Sequence, residues 1–225
     1  MSLFNIIGPV MVGPSSSHTA GAVRIGNMVR TLLKDEPVEG DILLHGSFAS
    51  TGRGHGTDKG IVAGILGMDT DDIRIPDSFE IAEKKGFKYN IHTGQIDGAH
   101  PNTALIKLSG ASGRCISVQA SSVGGGSIMV NKIDDIDVNF SGENPTLIVH
   151  NLDQPGHVAE VTSMLSHKKV NIAKMQLYRE NRGEYAVMVI ETDQSVPEEG
   201  LKWLEKVEGV LKITYYDGER SHKGD

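Results

Sequence analysis

The pattern of hydrophobic and polar residues predicts a helix near the start of the chain. From residue 17 to about residue 34, apolar side chains recur at spacings of three and four, as on the buried face of a helix. Ser16 or Ser17 can cap its first turn. A strand is predicted from Asp41 to Ser47, and Thr57 is expected to cap a second helix that ends before Gly67.

Strands dominate the pattern that follows. A helix is predicted at 78–85, and then strands at 103–108, 114–120, 127–133 and 136–140. Ile116, Val118 and Ala120 alternate with more polar residues, which places them on one face of their strand. The segment from Ser141 to Pro145 is typical of a turn. We therefore predict a domain boundary there, with a first domain at 1–141.

The second half has a different order of elements. Strands are predicted at 146–150, 174–179, 185–191 and 210–216, and helices at 157–167 and from Pro197 to about Val207, with a turn at 181–184. This βαββαβ order is that of the ferredoxin-like fold. The chain is therefore predicted to be an α+β protein, with a mixed first domain and a ferredoxin-like second domain at 146–220, followed by a polar tail.

Composition narrows the class of protein. Hydrophobic residues make up 38% of the chain and charged residues 23%, as in a soluble globular protein. The net charge of −7 argues against nucleic-acid binding, and no apolar segment reaches the roughly 18 residues of a membrane span. Cys115 is the only cysteine, which excludes a disulfide framework and favours the cytoplasm.

The first candidate site is a polar run of five residues: Ser15, Ser16, Ser17, His18 and Thr19. Their hydroxyl groups and imidazole coincide with a predicted helix start, where unpaired backbone N–H groups and the helix dipole attract anions. A substrate carboxylate would suit this position. The alternative is a well-capped helix with an exposed histidine, and the residues alone do not decide between the two.

His55 and Thr57 belong to the second candidate site, a glycine-rich segment from Gly52 to Asp58. A histidine between glycines lies on backbone that can approach a ligand closely, and imidazole is a base near neutral pH. The alternative is a tight turn between a strand and a helix that carries a surface histidine. The glycine spacing does not match a dinucleotide fingerprint.

His100 and Asn102 form the third candidate, on either side of Pro101. The proline favours an extended His100, and an amide can both donate to and accept from a bound amino acid. A plain loop is the alternative. No zinc-type spacing is present, and Gly124 to Gly126 is more simply a bend than a phosphate cradle, so a pyridoxal-phosphate enzyme using Lys59 is a weak alternative.

The second domain carries a separate candidate site for a small effector. Asp153 to Gly156 forms a turn with free N–H groups before the predicted helix that begins at His157, and Asn171 and Ile172 follow that helix. Such backbone can hold a zwitterion. A sound turn and helix cap is the alternative interpretation.

Taken together, these motifs resemble two known families. The segments 13–19, 52–58 and 100–102 occur in the order found in the β domain of iron–sulfur L-serine dehydratases, which the chain resembles over residues 1 to about 141. Residues 146–220 resemble an ACT domain, a small amino-acid-binding regulatory module, through Asp153, Pro155, Gly156, Asn171 and Ile172. The pairing is that of the β subunit of a two-chain L-serine dehydratase.

The resemblance implies an elimination that converts L-serine to aminoacrylate and then to pyruvate and ammonia. A [4Fe–4S] cluster would act as the Lewis acid, and its ligands are expected on a partner α chain, with no metal ligand in this chain. His55 is expected to be the base that removes the α-proton. His18 and Thr57 are also expected to be catalytic residues that bind or orient the substrate. The substrate-binding residues would be Ser15, Ser16, Ser17, Thr19, His100 and Asn102.

The resemblance also implies regulation through the ACT domain. We expect self-association through residues 146–220 and an effector, serine or a related amino acid, bound by Asp153, Gly156, His157, Asn171 and Ile172. A purely regulatory, non-catalytic sensor is the alternative, because the first domain also resembles a domain found beside ACT modules in some phosphoglycerate dehydrogenases. The histidine-bearing motifs argue for catalysis, since a passive sensor needs no base.

Overall fold

The computed structural model describes residues 10–134, 136–179 and 183–218, apart from the side chain of Arg53. Its internal contacts divide the chain into two units between residues 135 and 136. The predicted domains at 1–141 and 146–220 remain a prediction, and the predicted turn at 181–184 lies partly outside the described residues.

Helices of the first unit pack against a sheet. A π-helical turn at Ser16–Ala20 leads into α1 (Gly21–Leu33), and β1 (Pro37–His45) is followed by α2 (Gly46–His55), α3 (Thr57–Ile65), a 3₁₀ turn (Ile75–Asp77) and α4 (Ser78–Lys85). Next come β2 (Lys88–Gly94), β3 (Thr103–Gly110), β4 (Cys115–Gly124) and β5 (Ser127–Ile133). α1 lies against β3 and β4 and also against α3.

The strands of this unit lie in the order β2-β1-β3-β4-β5. β1 pairs in parallel with β2, while β3, β4 and β5 continue antiparallel. Ile42, Ile106 and Val118 are fully buried in neighbouring strands of this sheet. The predicted common face of Ile116, Val118 and Ala120 is confirmed, because all three side chains are buried.

Two elements of this unit, α2 and β2, were not predicted from the sequence. The strand predicted to reach Ser47 ends at His45, and α2 occupies 46–55, where no helix was predicted. α2 is rich in glycine and serine, which are weak helix formers. Its stability comes from tertiary contacts: Phe48 is fully buried, and the N–H groups of Ser47 and Phe48 donate to the carbonyl of Pro101. The edge strand β2 was also missed.

Both predicted helix caps differ from the structure. Ser15, rather than Ser16 or Ser17, is the N-cap, because its extended backbone lets its Oγ accept the N–H of His18 at 3.1 Å. Thr57 makes no cap hydrogen bond at the start of α3. Gly56 occupies the cap position with φ of +68°, and the Thr57 side chain is fully buried instead.

Glycines allow α1 and α3 to cross with their backbones in contact. A Cβ atom on Gly64 would lie 2.0 Å from the carbonyl oxygen of Val23, and one on Gly26 would lie 2.3 Å from that of Ile61. Gly60 meets the carbonyl of Thr19 in the same way, at 3.0 Å. Because these neighbours are backbone atoms, the close approach of the two helices requires glycine.

The second unit has the predicted ferredoxin-like order. Its elements are β6 (Ile136–Phe140), β7 (Thr146–Leu152), α5 (His157–His167), β8 (Ile172–Arg179), β9 (Tyr185–Thr192), α6 (Glu198–Leu204) and β10 (Val210–Tyr216). Strands β10-β7-β9-β8 form an antiparallel sheet. Leu147 and Met188 of this sheet pack with Val161 and Leu165 of α5 in one core. β8 and β10 are therefore the edge strands.

None of the helices within the described ranges is long and apolar enough to cross a membrane.

We predict that Gly64→Ala lowers the free energy of unfolding by about 2 kcal/mol, because the new methyl group would force α1 and α3 apart. Gly54→Ala is the control, since a Cβ there meets no atom within 4 Å and alanine favours a helix. Chemical denaturation of both variants measures the difference. Equal stability of Gly64→Ala and the wild type would contradict the close helix crossing.

Candidate functional site

His18 is held between two serine hydroxyl groups. Its Nε2 atom lies 2.9 Å from Oγ of Ser47, and its Nδ1 atom lies 3.3 Å from Oγ of Ser15. The backbone N–H of His18 also donates to Ser15. Both ring nitrogens therefore have a partner, and the orientation of the imidazole is fixed by two separate segments of the chain.

His55 lies beside His18, with 5.2 Å between the ring centroids. His55 is exposed and is the last residue of α2. Burial lowers the pKa of His18, and the proximity of His55 lowers it further, since two adjacent imidazolium ions repel each other. His18 is thus held neutral near neutral pH beside a solvent-accessible second imidazole.

Hydrogen bonds connect the π-helical turn, which carries His18, to the end of α2, which carries His55. The N–H of Ala20 donates to the carbonyl of Ser15 five residues earlier, a pattern that often marks functional sites. Thr19 is buried, and its hydroxyl donates to the carbonyl of His55 at 2.8 Å. This hydrogen bond joins the π-helical turn to the end of α2, and the predicted substrate-binding role of Thr19 remains a prediction.

Ser16 and Ser17 lie in the first turn of the π-helical segment and are half-buried. The first backbone N–H groups of a helix have no partner within it, so these two residues present hydroxyl and amide donors at one point. An anion placed there would be near His18, the next residue. The predicted anion site and the histidine pair thus belong to one region of the fold.

The third predicted motif meets the same region through its proline. The carbonyl of Pro101 accepts the N–H of Ser47 at 2.7 Å, and Gly46 packs so tightly on Pro101 that a Cβ would lie 2.5 Å from its oxygen. Nδ1 of His100 accepts the N–H of Asn102, which leaves the proton of a neutral His100 on Nε2. Thr103 donates to the carbonyl of His100.

Thr57 occupies a different position from the one expected of a catalytic hydroxyl. Its side chain is fully buried, and its Oγ1 has no hydrogen-bond partner among the residues described. It packs beneath the turn between α2 and α3, with its Cβ 3.9 Å from the position of a Cβ on Gly52. The structure gives Thr57 an interior position, and its predicted catalytic role remains a prediction.

Two residues of this region were missed in the sequence. Ser47 contacts His18 directly, and His45 uses Nδ1 to accept the N–H of Ile96, which ties the end of β1 to the loop before His100. His45 is the last residue of β1, and Ser47 is the second residue of α2. A Gly-Ser pair at a strand end is a weak signal, which is why it did not stand out.

The chemistry of the donor atoms does not fit an iron–sulfur cluster held by this chain alone. Such a cluster usually takes three or four thiolates, and Cys115 is exposed on β4, next to the hydroxyl of Ser109. Within the ranges that the structure covers, no three His, Cys, Asp or Glu side chains are grouped to hold a metal ion.

The predicted effector residues of the second unit lie at the two ends of β8. At one end, Oδ2 of Asp153 accepts the N–H of Gly183 at 2.8 Å and lies 3.3 Å from the guanidinium of Arg179. Gly156 precedes α5 with φ of +111°, and the buried His157 places Nδ1 3.2 Å from Glu160.

At the other end of β8, Asn171 donates through Nδ2 to Asp193 at 2.6 Å and through its backbone N–H to Gln194. Ile172 begins the strand. At roughly 3.3 Å per residue, the eight residues of β8 separate the two ends by about 23 Å. One copy of this unit therefore does not bring Asp153 and Asn171 together.

Comparisons with known proteins agree with these two units. Residues 2–93 match the family model described as serine dehydratase beta chain, and residues 145–209 match the ACT domain. The chain is 39% identical over 213 residues to a probable L-serine dehydratase, beta chain, of Bacillus subtilis, covering 95% of this chain and 96% of that one.

Two further relatives are informative. The L-serine dehydratase, beta chain, of Peptoniphilus asaccharolyticus is 38% identical over 198 residues, or 88% of this chain and 89% of that one. A D-3-phosphoglycerate dehydrogenase of Methanocaldococcus jannaschii is 31% identical over 93 residues, which covers 39% of this chain and 18% of that protein. The extent of the first two matches confirms the resemblance, and the chain belongs to the family of L-serine dehydratase beta chains and contains an ACT domain.

Proposed function

We propose that this chain supplies the proton-transfer and carboxylate-binding half of an L-serine dehydratase active site. The observation that supports it best is the convergence of His18 and His55 beside the start of the π-helical turn. This region combines a base, fixed hydrogen-bond donors and an anion-binding helix start. Those are the groups needed to remove a proton next to a carboxylate.

His55 is the better base of the pair. Its ring is exposed, and none of the described residues forms a hydrogen bond with either ring nitrogen. His18, in contrast, has a hydroxyl partner at both nitrogens. A group that must take a proton from substrate needs a free nitrogen, so His55 would accept the α-proton of serine. Neutral His18 beside it would avoid repelling the resulting imidazolium.

The carboxylate of serine would bind at the start of the π-helical turn. Ser16 and Ser17 offer hydroxyl and backbone donors there, and the helix dipole favours negative charge. His100 and Asn102 would close the pocket from the loop that Pro101 attaches to α2. The electron pair of the broken C–H bond would form the C=C bond of aminoacrylate as the β-hydroxyl group leaves, a departure for which the proposed cluster would supply a Lewis acid. Aminoacrylate would then tautomerise to an imine and react with water to give pyruvate and ammonia.

We propose that a partner α chain carries a [4Fe–4S] cluster and that the complex acts in the cytoplasm. Both of the closely matching relatives are named as beta chains, which supports a second subunit. The single cysteine of this chain supports placing the thiolate ligands elsewhere and suits a reducing compartment.

For the ACT domain, we propose that two copies associate along β8 and bind an amino-acid effector at the interface between them. A two-fold axis pairs identical edge strands in antiparallel fashion. The Asn171 end of one copy would then meet the Asp153 end of the other. This pairing would assemble the predicted effector residues, which a single copy keeps at opposite ends of its strand.

A non-catalytic amino-acid sensor is the second candidate function, favoured by the partial match to a phosphoglycerate dehydrogenase. In a sensor, the imidazole pair would have no chemical role. The two functions therefore differ in what they predict for His55.

We predict that His55→Ala lowers kcat for pyruvate formation by at least about 100-fold in the complex with the α chain, because the base is lost. His92→Ala is the control. His92 is a partly exposed histidine on β2 of the same unit, and it lies beside Asp41 of β1. Gel filtration verifies that both variants still assemble. Wild-type turnover in His55→Ala would exclude His55 as the base and favour the sensor.

We predict that Leu177→Glu on β8 weakens self-association of the chain, because the charge would be placed at the interface between the two copies. Leu177 is 49% exposed, and Leu211 on the opposite edge strand, β10, is 56% exposed. Leu211→Glu is therefore a matched control. Sedimentation velocity across a concentration series, with and without L-serine, measures the effect.

The β8 arrangement would be contradicted if Leu211→Glu weakened self-association as strongly as Leu177→Glu. A wild-type chain that stayed monomeric at all concentrations, with and without L-serine, would contradict self-association itself.

A further inference from the structure

We propose that Ser47 is a positioning residue of the site: it accepts the Nε2–H of His18 and so stabilises the tautomer in which Nδ1 is the acceptor. This inference rests on the proposed function, because His18 matters to the reaction only if the histidine pair is catalytic. Nothing in the sequence pattern singled out Ser47. Its role follows from where the fold places its hydroxyl.

The hydroxyl of Ser47 faces one specific atom. Its Oγ lies 2.9 Å from Nε2 of His18, and no other described residue forms a hydrogen bond with that oxygen. The neighbouring hydroxyls of Ser50 and Thr51 donate to the Ser47 carbonyl instead, at 3.3 Å and 2.7 Å. Three hydroxyl residues lie close together on α2, but only Ser47 contacts the imidazole.

The backbone of Ser47 is fixed independently of its side chain. Its N–H donates to the carbonyl of Pro101, and the preceding Gly46 takes φ of +57° against the Pro101 backbone. Ser47 thus lies where β1, α2 and the loop that carries His100 meet. Because the backbone of Ser47 is fixed, its hydroxyl holds the ring of His18, which belongs to the separate π-helical turn, in one orientation.

The hydrogen bonds around His18 favour one tautomer of its ring. Oγ of Ser15 already accepts the backbone N–H of His18 at 3.1 Å. An oxygen that accepts one hydrogen bond is a better donor in the next, so the Ser15 hydroxyl is best placed to donate to Nδ1 of His18. The single proton of the neutral ring then resides on Nε2 and is donated to Ser47.

This direction of donation leaves the hydroxyl proton of Ser47 for another acceptor. Since His18 is neutral near neutral pH, the Ser47 hydroxyl can donate to a bound carboxylate without competing for an imidazole nitrogen. Ser47 would therefore both orient His18 and add a donor to the anion-binding region.

Nitrogen-detected NMR of the ¹⁵N-histidine-labelled full chain, without its partner, measures the tautomer of His18 directly. We expect the Nε2–H form to dominate in the wild type. Loss of one hydrogen bond of ordinary strength in Ser47→Ala should shift the tautomer ratio by about fivefold toward Nδ1–H. Ser47→Thr, which restores a hydroxyl, should return the ratio toward the wild-type value.

Ser50→Ala is the matched control on the same helix. Its hydroxyl bonds only to the Ser47 carbonyl, so the His18 tautomer should stay unchanged. An unchanged tautomer in Ser47→Ala would overturn the proposal. So would an Nδ1–H form that dominates in the wild type.

Activity assays of the complex with the α chain provide the second test of the proposal. In Ser47→Ala, kcat for pyruvate formation should fall by about tenfold, with recovery in Ser47→Thr and an unchanged melting temperature. A tautomer shift without any change in kcat would overturn the positioning role. If the wild-type complex did not turn over serine at all, the proposed function would fail, whereas the tautomer measurement would still decide the Ser47–His18 interaction.

Discussion

The close crossing of α1 and α3 is the constraint on which the candidate site depends. Gly26 and Gly64 place the backbones of the two helices in contact, and Gly60 meets the carbonyl of Thr19 just before α1. His18 precedes one of these helices, and His55 precedes the other. The distance between the imidazoles is therefore set by backbone packing. A larger residue at the crossing would separate the π-helical turn from the end of α2.

His18 and His55 have different surroundings although they are neighbours. His18 is partly buried and bonded at both nitrogens, while His55 is exposed at a helix end. The environment thus separates a fixed, neutral imidazole from one that is open to solvent. The bond from Thr19 to the carbonyl of His55 holds the two segments together without using either ring. The geometry suits a pair in which one ring orients and the other transfers the proton.

Much of the fold followed from periodicity. The limits of α4, α5, β5, β6 and β10 were predicted as the structure has them, because each carries a clear apolar face bounded by turn residues. α2 was not predicted, since its glycines and serines form a helix only when Phe48 is buried and Pro101 accepts its first N–H groups. The cap at Ser15 was missed for a related reason, because the choice among three consecutive serines depends on backbone conformation.

The candidate site could be predicted only in part. The motifs around His18, His55 and His100 were visible as unusual clusters of polar residues, but their mutual distances depend on the helix crossing. Ser47 carried no signal of its own. The inward position of Thr57 could not be predicted either, because the turn at Gly56 decides which way the first side chain of α3 points.

The proposed function requires a partner chain to complete the active site. The most direct measurement compares pyruvate formation from L-serine by the purified chain alone, by an anaerobically prepared α chain alone and by their mixture. We expect turnover in the mixture and none in either component. Full turnover by this chain in the absence of any partner would contradict it.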